Sequence, residues 1–596
     1  MKQTLFLPVC RQDMLARNWK GIDILLVTGD AYVDHPAFGV AIIGRVLEAE
    51  GYRVAVLPQP DWRQKEVFLQ FGRPALFVGI TSGNLDSMLA HYTAAVTPRR
   101  SDAYSPGGLP ERRPDRATVV YANRVRECFP GIPIVLGGIE ASLRRLAHYD
   151  YWSNSVRRSI LIDSRANWVA YGMAETAVKE IARLLAAGKS PESICSVPGT
   201  VWVTSDSSRL PAGSIFLPSE EEVRESKTAF LKAFRLWYNQ LDPRFARPVV
   251  QPTGNRYLVQ MPAPLPLSPS QLDAIYSLPF TRQAHPSYGK NIIPALATVE
   301  TSITSHRGCS GGCAFCSLAM HQGRLVQSRC PDSILQEAGF ISRQEWFRGT
   351  ISDIGGPTAN LYGAKCLQNK AVCQRESCLY PSICEFFSLD GSQHLFLLHQ
   401  VSRLRQVKHV FVETGIRHDI VLRDTCQNYL EELCRWHVGG HLRVAPEHIS
   451  KPVLDCMRKS LPETFEEFRE RFKFVCRKAK KELYLAPYFM SGHPACKISH
   501  MIELAEYLHR FGFFIEQVQD FIPLPMTLSA CIFWTGRDPL TGHEVYTCSG
   551  KEKNIQRALL QPSDWRNRKR LLPLLKKWKK TYLLRRPPSR KQQGNN

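Results

Sequence analysis

The chain has no run of apolar residues approaching the length of a membrane-spanning helix. Met1–Leu7 carries one lysine and too short an apolar patch to serve as a secretory signal, so a cytoplasmic protein with no membrane partner is expected. Eighteen cysteines in 596 residues are too sparse for the disulfide framework of a small secreted domain, and a chain this long buries its cores without such staples. No G-x-G-x-x-G follows any apolar strand-like segment, which removes the usual dinucleotide fingerprint. Acidic residues are missing altogether from Arg566–Lys591, where twelve Lys or Arg accumulate out of a net charge of +23.

What is present is a cysteine loop, Cys309-Ser-Gly-Gly-Cys313-Ala-Phe-Cys316. Three thiols spaced in this way can wrap one compact metal centre and leave it a ligand short. Four would close a structural site, whereas three leave one metal position open to a small molecule. No second C-x2-C pair lies at zinc-finger distance. Gly308, Gly311 and Gly312 give the backbone freedom to curl around such a centre, and Phe315 supplies an aromatic wall beside it.

Two series of alternating strand-like and helix-like segments flank a less regular middle. Ile22–Thr28, Arg53–Leu57, Ala75–Thr81, Ile132–Leu136 and Trp168–Tyr171 read as buried strands, with Gly29, Gly83, Gly137, Gly138 and Gly172 just past their ends. This pattern predicts a doubly wound parallel α/β domain over 1–195 whose ligand edge is the carboxyl end of the sheet. Residues 196–296 read as a proline-rich connecting region with one long helix, Ser219–Trp237. Further strands are predicted at Thr298–Ser305, Thr350–Ile354, His409–Glu413, His441–Ala445, Glu482–Phe489 and Phe514–Phe521. Six βα units make a partial (β/α)6 barrel over 297–530, with the cysteine loop at the carboxyl end of its first strand. A cysteine-rich insertion at 357–390 and a basic extension at 531–596 complete the layout.

The C-x3-C-x2-C spacing with an aromatic before the last cysteine resembles the signature of radical S-adenosylmethionine (SAM) enzymes. Further segments narrow the likeness: Gly137–Arg145, Ser352–Asn360, Val444–His448, Phe489–Pro494 and Val518–Thr527 are similar to those of the YgiQ-type radical SAM proteins, over roughly residues 5–550. The resemblance implies a 4Fe–4S cluster held by Cys309, Cys313 and Cys316, with SAM on the fourth iron. It implies reduction by a one-electron donor protein of flavodoxin or ferredoxin type. SAM cleavage would then yield a radical that takes hydrogen from a substrate the sequence does not name. Gly355-Gly356 stands where the superfamily often has G-G-E; Pro357 replaces the Glu, so only a backbone contact to the SAM amino group carries over. Glu413 and Arg417 are expected to hold the ribose and carboxylate of SAM, or else to form a surface ion pair.

The first domain looks like the cobalamin-binding-type domain that precedes many radical SAM domains. The histidine motif D-x-H-x-x-G is absent, however: Asp34-His35-Pro36-Ala37-Phe38-Gly39 has both spacings off by one, so cobalamin is not expected and His35 is read as a turn or pocket residue. Cys366, Cys373, Cys378 and Cys384 form a second group, read as an auxiliary iron–sulfur site, as a zinc site, or as a loop of reduced thiols. The basic tail, with Trp565, Trp578 and Tyr582 interleaved, is read either as an RNA-binding segment or as a solvated face. Besides a radical SAM enzyme of unnamed substrate, two alternatives stand: an RNA-modifying one, and a non-catalytic iron–sulfur or RNA-binding protein.

Overall fold

A computed structural model describes residues 6–368, 373, 375–515, 518–548 and 550–586. The first half is organised by a nine-stranded sheet. Five parallel strands lie in the order Val54–Pro58, Ile24–Thr28, Phe77–Thr81, Ile134–Leu136 and Trp168–Ala170. Ile24–Thr28 is buried along its whole length, as a strand covered by helices on both faces must be. Because the second strand lies outside the first, the chain changes direction between Ile24–Thr28 and Phe77–Thr81. A crevice opens at their carboxyl ends, where such sheets bind ligands.

The sheet does not stop near residue 195. Thr200–Thr204, Arg256–Gln260, Val249–Thr253 and Ile215–Phe216 continue it, the first of them antiparallel to Trp168–Ala170. Most of the expected connecting region therefore belongs to the first sheet. The missed signal is the pair Gly254-Asn255, a two-residue turn between apolar runs that register Thr253 against Arg256. The expected helix Ser219–Trp237 is two helices, Glu220–Glu225 and Lys227–Tyr238. Ser219 and Glu222 form a capping box on the first. Ser226 is extended between them and its hydroxyl accepts from Ala229 N–H at 3.2 Å, starting the second.

The second half contains a succession of parallel strand pairs. Ser302–Thr304 pairs with Asp353–Gly355, and Thr350–Ile351 with His409–Val410. Ile416 bridges to Val444, His441–Glu447 pairs with Tyr484–Ser491, and the last of these pairs with Gln519–Asp520. The helices Pro331–Ser342, Gly391–Ser402, Tyr429–Trp436, Pro462–Ala479 and Ile498–Arg510 lie between successive strands, and their apolar faces share one core with Ile303, Ile354, Val410 and Leu442. The expected strand Thr298–Ser305 starts later, because Pro294–Val299 is helical with proline in its first turn. Of Phe514–Phe521, only Gln519–Asp520 is strand, and positions 516 and 517 lie outside the described residues.

The basic C-terminal segment is docked. Trp565–Lys577 is a helix and Thr581–Leu584 a 3-10 turn, and Leu571, Leu575 and Leu583 are fully buried in the second core. Lys580 and Tyr582 both reach Glu506 at 2.5 Å. Arg568, Lys569, Lys576 and Lys577 remain exposed on the other side, with Trp565. Arg590 and Lys591, the last two of the expected basic stretch, lie outside the described residues. Among the described residues no helix is long and apolar enough to cross a membrane.

Leu575→Ala should destabilise the protein by about 2–5 kcal/mol, the usual range for truncating a buried leucine. Chemical denaturation reads this directly, and an unchanged midpoint would mean that the helix is not part of the core.

Candidate cofactor cavity and cysteine loop

Glycine is required twice at the cysteine loop for different reasons. Gly308 has φ +80°, and a Cβ there would lie 2.0 Å from the carbonyl oxygen of Leu325. At Gly311 a Cβ would lie 2.7 Å from the Arg417 guanidinium and 3.3 Å from the Cys309 sulfur. The loop is pinned from outside by Ala314 N–H donating to Met457 O and Ser529 N–H donating to Ala314 O, both at 2.9 Å. Phe315 meets His493 edge to face at 6.0 Å and so sits against the second core as a wall of the loop.

The three thiols lie within electrostatic reach of one another. Burial, then Cys313 and Cys309, pushes Cys316 up to about 12; burial and then Cys313 raise Cys309. Two cations oppose this, since Arg417 and the buried Lys459 both favour the Cys309 thiolate. Among the described residues no three His, Cys, Asp or Glu side chains converge closely enough to hold a single metal ion. A polynuclear cluster spreads its ligands over several corners. Three half-buried thiols with the Arg417 and Lys459 cations nearby fit such a cluster with one open corner.

Glu413 and Arg417 do not act together. Arg417 is buried, its Nη1 3.6 Å from the Cys313 sulfur and its Nε 3.0 Å from Asp419. Burial works against its charge, but Asp419 and the two nearby thiols more than offset this and hold its pKa up. Asn360 fixes the Arg417 backbone, accepting from its N–H at 2.8 Å and donating to its carbonyl at 3.0 Å. Glu413 instead pairs with Arg443 at 2.9 Å with both side chains close to half exposed. It forms a surface ion pair, with Arg443 in place of Arg417, while the next residue, Thr414, lines the cavity.

Between the carboxyl edge of the sheet and the cysteine-loop side of the second half lies a cavity of about 550 Å³. Gly355, Gly356, Asp353 and Thr414 line one end; Thr28, Gly83, Gly137 and Gly138 line the other. Gly355 and Gly356 have no room for side chains: a Cβ would lie 2.6 Å from Thr414 Oγ1 in the first case and 2.6 Å from His306 O in the second. They therefore present bare backbone to the cavity. Asp353 is a residue that sequence reasoning quoted without giving it a role. Its carboxylate accepts from the N–H groups of Glu413 (2.8 Å) and Thr414 (3.0 Å), and burial raises its pKa.

The cavity's middle is bridged by contacts between the two halves. Arg307, two residues before the first cysteine of the loop, pairs with Glu175 at 2.5 Å, both almost wholly buried, and donates to Tyr276 OH at 2.9 Å. His321, on the short helix Leu318–Gln322 after Cys316, meets Ser142 at 3.1 Å, and burial lowers its pKa to about 4, so it is neutral. Gly172 has φ +76° and packs on the carbonyl of His321. His35 is a turn residue, its Nδ1 accepting from Ala37 N–H at 2.9 Å; Pro36 and Ala37 line the cavity but His35 does not.

Comparison with known proteins places this arrangement. The family model described as Radical SAM N-terminal matches residues 6–302, and one described as a domain of unknown function (DUF3362) matches 516–581. A UPF0313 protein of Geobacter sulfurreducens is 47% identical, covering 94% of this chain and 93% of the relative. One of Methanosarcina acetivorans is also 47% identical, covering 93% and 78%.

The chain belongs to the UPF0313 family.

The YgiQ-type radical SAM likeness is in keeping with this membership, and the family implies SAM and a 4Fe–4S cluster. Among solved structures, the radical SAM methyltransferase TsrM of Kitasatospora setae aligns with TM-score 0.48 at 15% identity, covering 85% of this chain and 75% of that one. The cobalamin-dependent SAM radical enzyme OxsB aligns with TM-score 0.47 at 9% identity, covering 88% and 56%.

Two substitutions test the site. Gly356→Val should abolish SAM binding, read by equilibrium dialysis, while iron content stays at the wild-type level; retained binding would remove the backbone-edge role. Glu175→Ala should cost about 3–5 kcal/mol in denaturation by leaving the Arg307 charge buried and unpaired, and a loss below about 1 kcal/mol would mean that the pair does not join the halves.

Proposed function

We propose that this UPF0313 protein is a radical SAM enzyme that binds a 4Fe–4S cluster through Cys309, Cys313 and Cys316 and cleaves SAM reductively to abstract hydrogen from a substrate. The observation that carries the reading is the half-buried loop of three thiols, one ligand short of four, next to a cavity rimmed by the bare backbone of Gly355 and Gly356. In this reading the first half is a cobalamin-binding-like doubly wound domain and the parallel pairs of the second half form the partial (β/α)6 barrel.

A cluster held by Cys309, Cys313 and Cys316 would supply the single electron, received from a donor protein, that reductive cleavage of SAM needs. The chain's own residues do the positioning. The Gly355-Gly356 backbone offers hydrogen-bonding groups to the amino end of SAM. Arg417, held by Asp419 and Asn360, keeps a fixed positive charge beside the cysteine loop and favours its thiolates. The Arg307–Glu175 pair and the packing of Leu318–Gln322 on the sheet domain narrow the cavity, which limits the water that can reach a radical. The reductant is a one-electron donor protein of flavodoxin or ferredoxin type, and an oxygen-labile cluster suits a reducing cytoplasm, in keeping with cysteines that are all free among the described residues.

Cobalamin stays outside this reading, since the sheet edge contributes no histidine to the cavity lining among the described residues. Hydroxocobalamin mixed with the reconstituted protein should separate from it on gel filtration; co-elution of the corrinoid would overturn this part. A second reading, RNA as the substrate, is favoured by the exposed basic face of Trp565–Lys577 with Trp565 beside it. RNA affinity should then fall steeply with salt and flatten when Arg568, Lys569, Lys576 and Lys577 are changed to glutamine. Binding indifferent to both would dismiss RNA.

The main test is anaerobic incubation with dithionite and SAM. 5′-Deoxyadenosine is expected from the wild type and not from Cys313→Ala. Its absence from a wild-type sample of full iron content, under several reductants and with cell extract as a source of substrate, would favour a non-catalytic iron–sulfur protein.

A further inference from the structure

Cys366, Cys373, Cys378 and Cys384 take no part in the chemistry above, yet the fold gathers them against the first cysteine loop. Cys366 is registered against Phe387 in a short antiparallel ladder. Phe387 N–H donates to Cys384 O at 3.0 Å, and Cys384 N–H donates to Cys378 O at 2.8 Å. These contacts bring Cys366, Cys378 and Cys384 into one neighbourhood. Cys373 lies within electrostatic reach of Cys378, as Cys366 and Cys384 do. Four thiols held together without a metal gain little from one another, since each is a weak donor and a weak acceptor.

Their position is as informative as their number. Cys378 N–H donates to Ser310 O at 3.2 Å, and Ser377 Oγ donates to Gly311 O at 2.9 Å. Ser377 also fills the space beside Gly312, where a Cβ would lie 2.5 Å from the serine's own. The second group therefore rests on the backbone between Cys309 and Cys313. Its far side faces solvent, with Cys366 exposed, Cys373 half-buried and Cys384 buried.

We propose that Cys366, Cys373, Cys378 and Cys384 hold a second iron–sulfur cluster, set between the protein surface and the Cys309–Cys316 loop. Four thiolates complete the protein ligation of such a cluster and leave no corner for a small molecule, so its role is to pass single electrons inward from the donor protein. Zinc fits less well. The spacings lack the paired C-x2-C of zinc sites, and among the described residues no three ligands converge as a single ion requires, which is equally the case for the first cysteine loop.

The test is metal and sulfide analysis with EPR on the anaerobically reconstituted full chain. Wild type should carry about eight irons and as many sulfides per chain, Cys313→Ala about four, and Cys366→Ala combined with Cys373→Ala, which leaves two thiols at the second site, about four. Cys366 is exposed and Cys373 half-buried, so their replacement leaves the core packing intact, and the double variant should retain the EPR response to added SAM while Cys313→Ala loses it. About four irons in the wild type, unchanged in the double variant, would overturn the proposal, as would one zinc per chain that the double variant releases. The reading does not stand or fall with SAM cleavage, because eight irons without 5′-deoxyadenosine would retain the second cluster and reject only the first proposal.

Discussion

The architecture depends on one buried ion pair, Arg307 with Glu175. Burying both charges is expensive, and a pair of this kind holds only when its geometry is good and the remaining hydrogen-bonding groups find partners. Here Arg307 also donates to Tyr276, over whose ring it lies at 5.0 Å, whereas Arg307 Nη2 and Glu175 Oε2 are buried with no hydrogen-bond partner among the described residues. The pair ties the residue that leads into the cysteine loop to the first turn of the helix Glu175–Ala186 that follows the fifth strand of the sheet. Around that tie the sheet's carboxyl edge faces Gly355 and Gly356 across the cavity, and the helix Leu318–Gln322 packs on Gly138–Leu143 of the sheet domain. Arg282 repeats the device nearby, pairing with Glu337 at 2.6 Å and donating to backbone carbonyls at the start of the first strand of the second half.

Those buried arginines change the meaning of the net charge. A sum of +23 suggests a protein coated in cations, with a basic tail as its extreme. Yet Arg45, Arg113, Arg144, Arg145, Arg282, Arg307 and Arg329 are inside, most of them committed to Asp34, Asp30, Asp102, Asp86, Glu337 or Glu175. The tail is not free either, because its leucines are core residues. Surface charge is thus a property of particular faces, the outer side of Trp565–Lys577 among them, and steering of a nucleic acid would be confined to such faces.

The parts of the site that lie close together in sequence were legible there. The three-cysteine loop, its glycines and the Gly355-Gly356 edge are local patterns with a direct geometric meaning, and apolar runs ending in glycine announced the parallel strands. Contacts between distant residues were not legible: Arg307 and Glu175 are separated by 132 positions, and neither residue type in isolation signals a partner. For Glu413 two readings stayed open in the sequence, because a glutamate past a strand end looks the same whether it faces the cavity or solvent; in the structure it pairs with Arg443. The extension of the sheet through residues 200–260 was obscured by prolines that dilute the apolar pattern, although Gly254-Asn255 marked its hairpin. The division of Ser219–Trp237 turned on a single serine able to cap a new helix.

The claim on which the account rests is that three thiolates leave one iron open and that SAM takes that position. EPR of the reduced protein, recorded before and after SAM is added, tests it most directly. The account requires the cluster signal to change on addition of SAM, with hyperfine coupling to nitrogen-15 placed in the SAM amino group. A signal indifferent to SAM in protein of full iron content, with no such coupling, would contradict it.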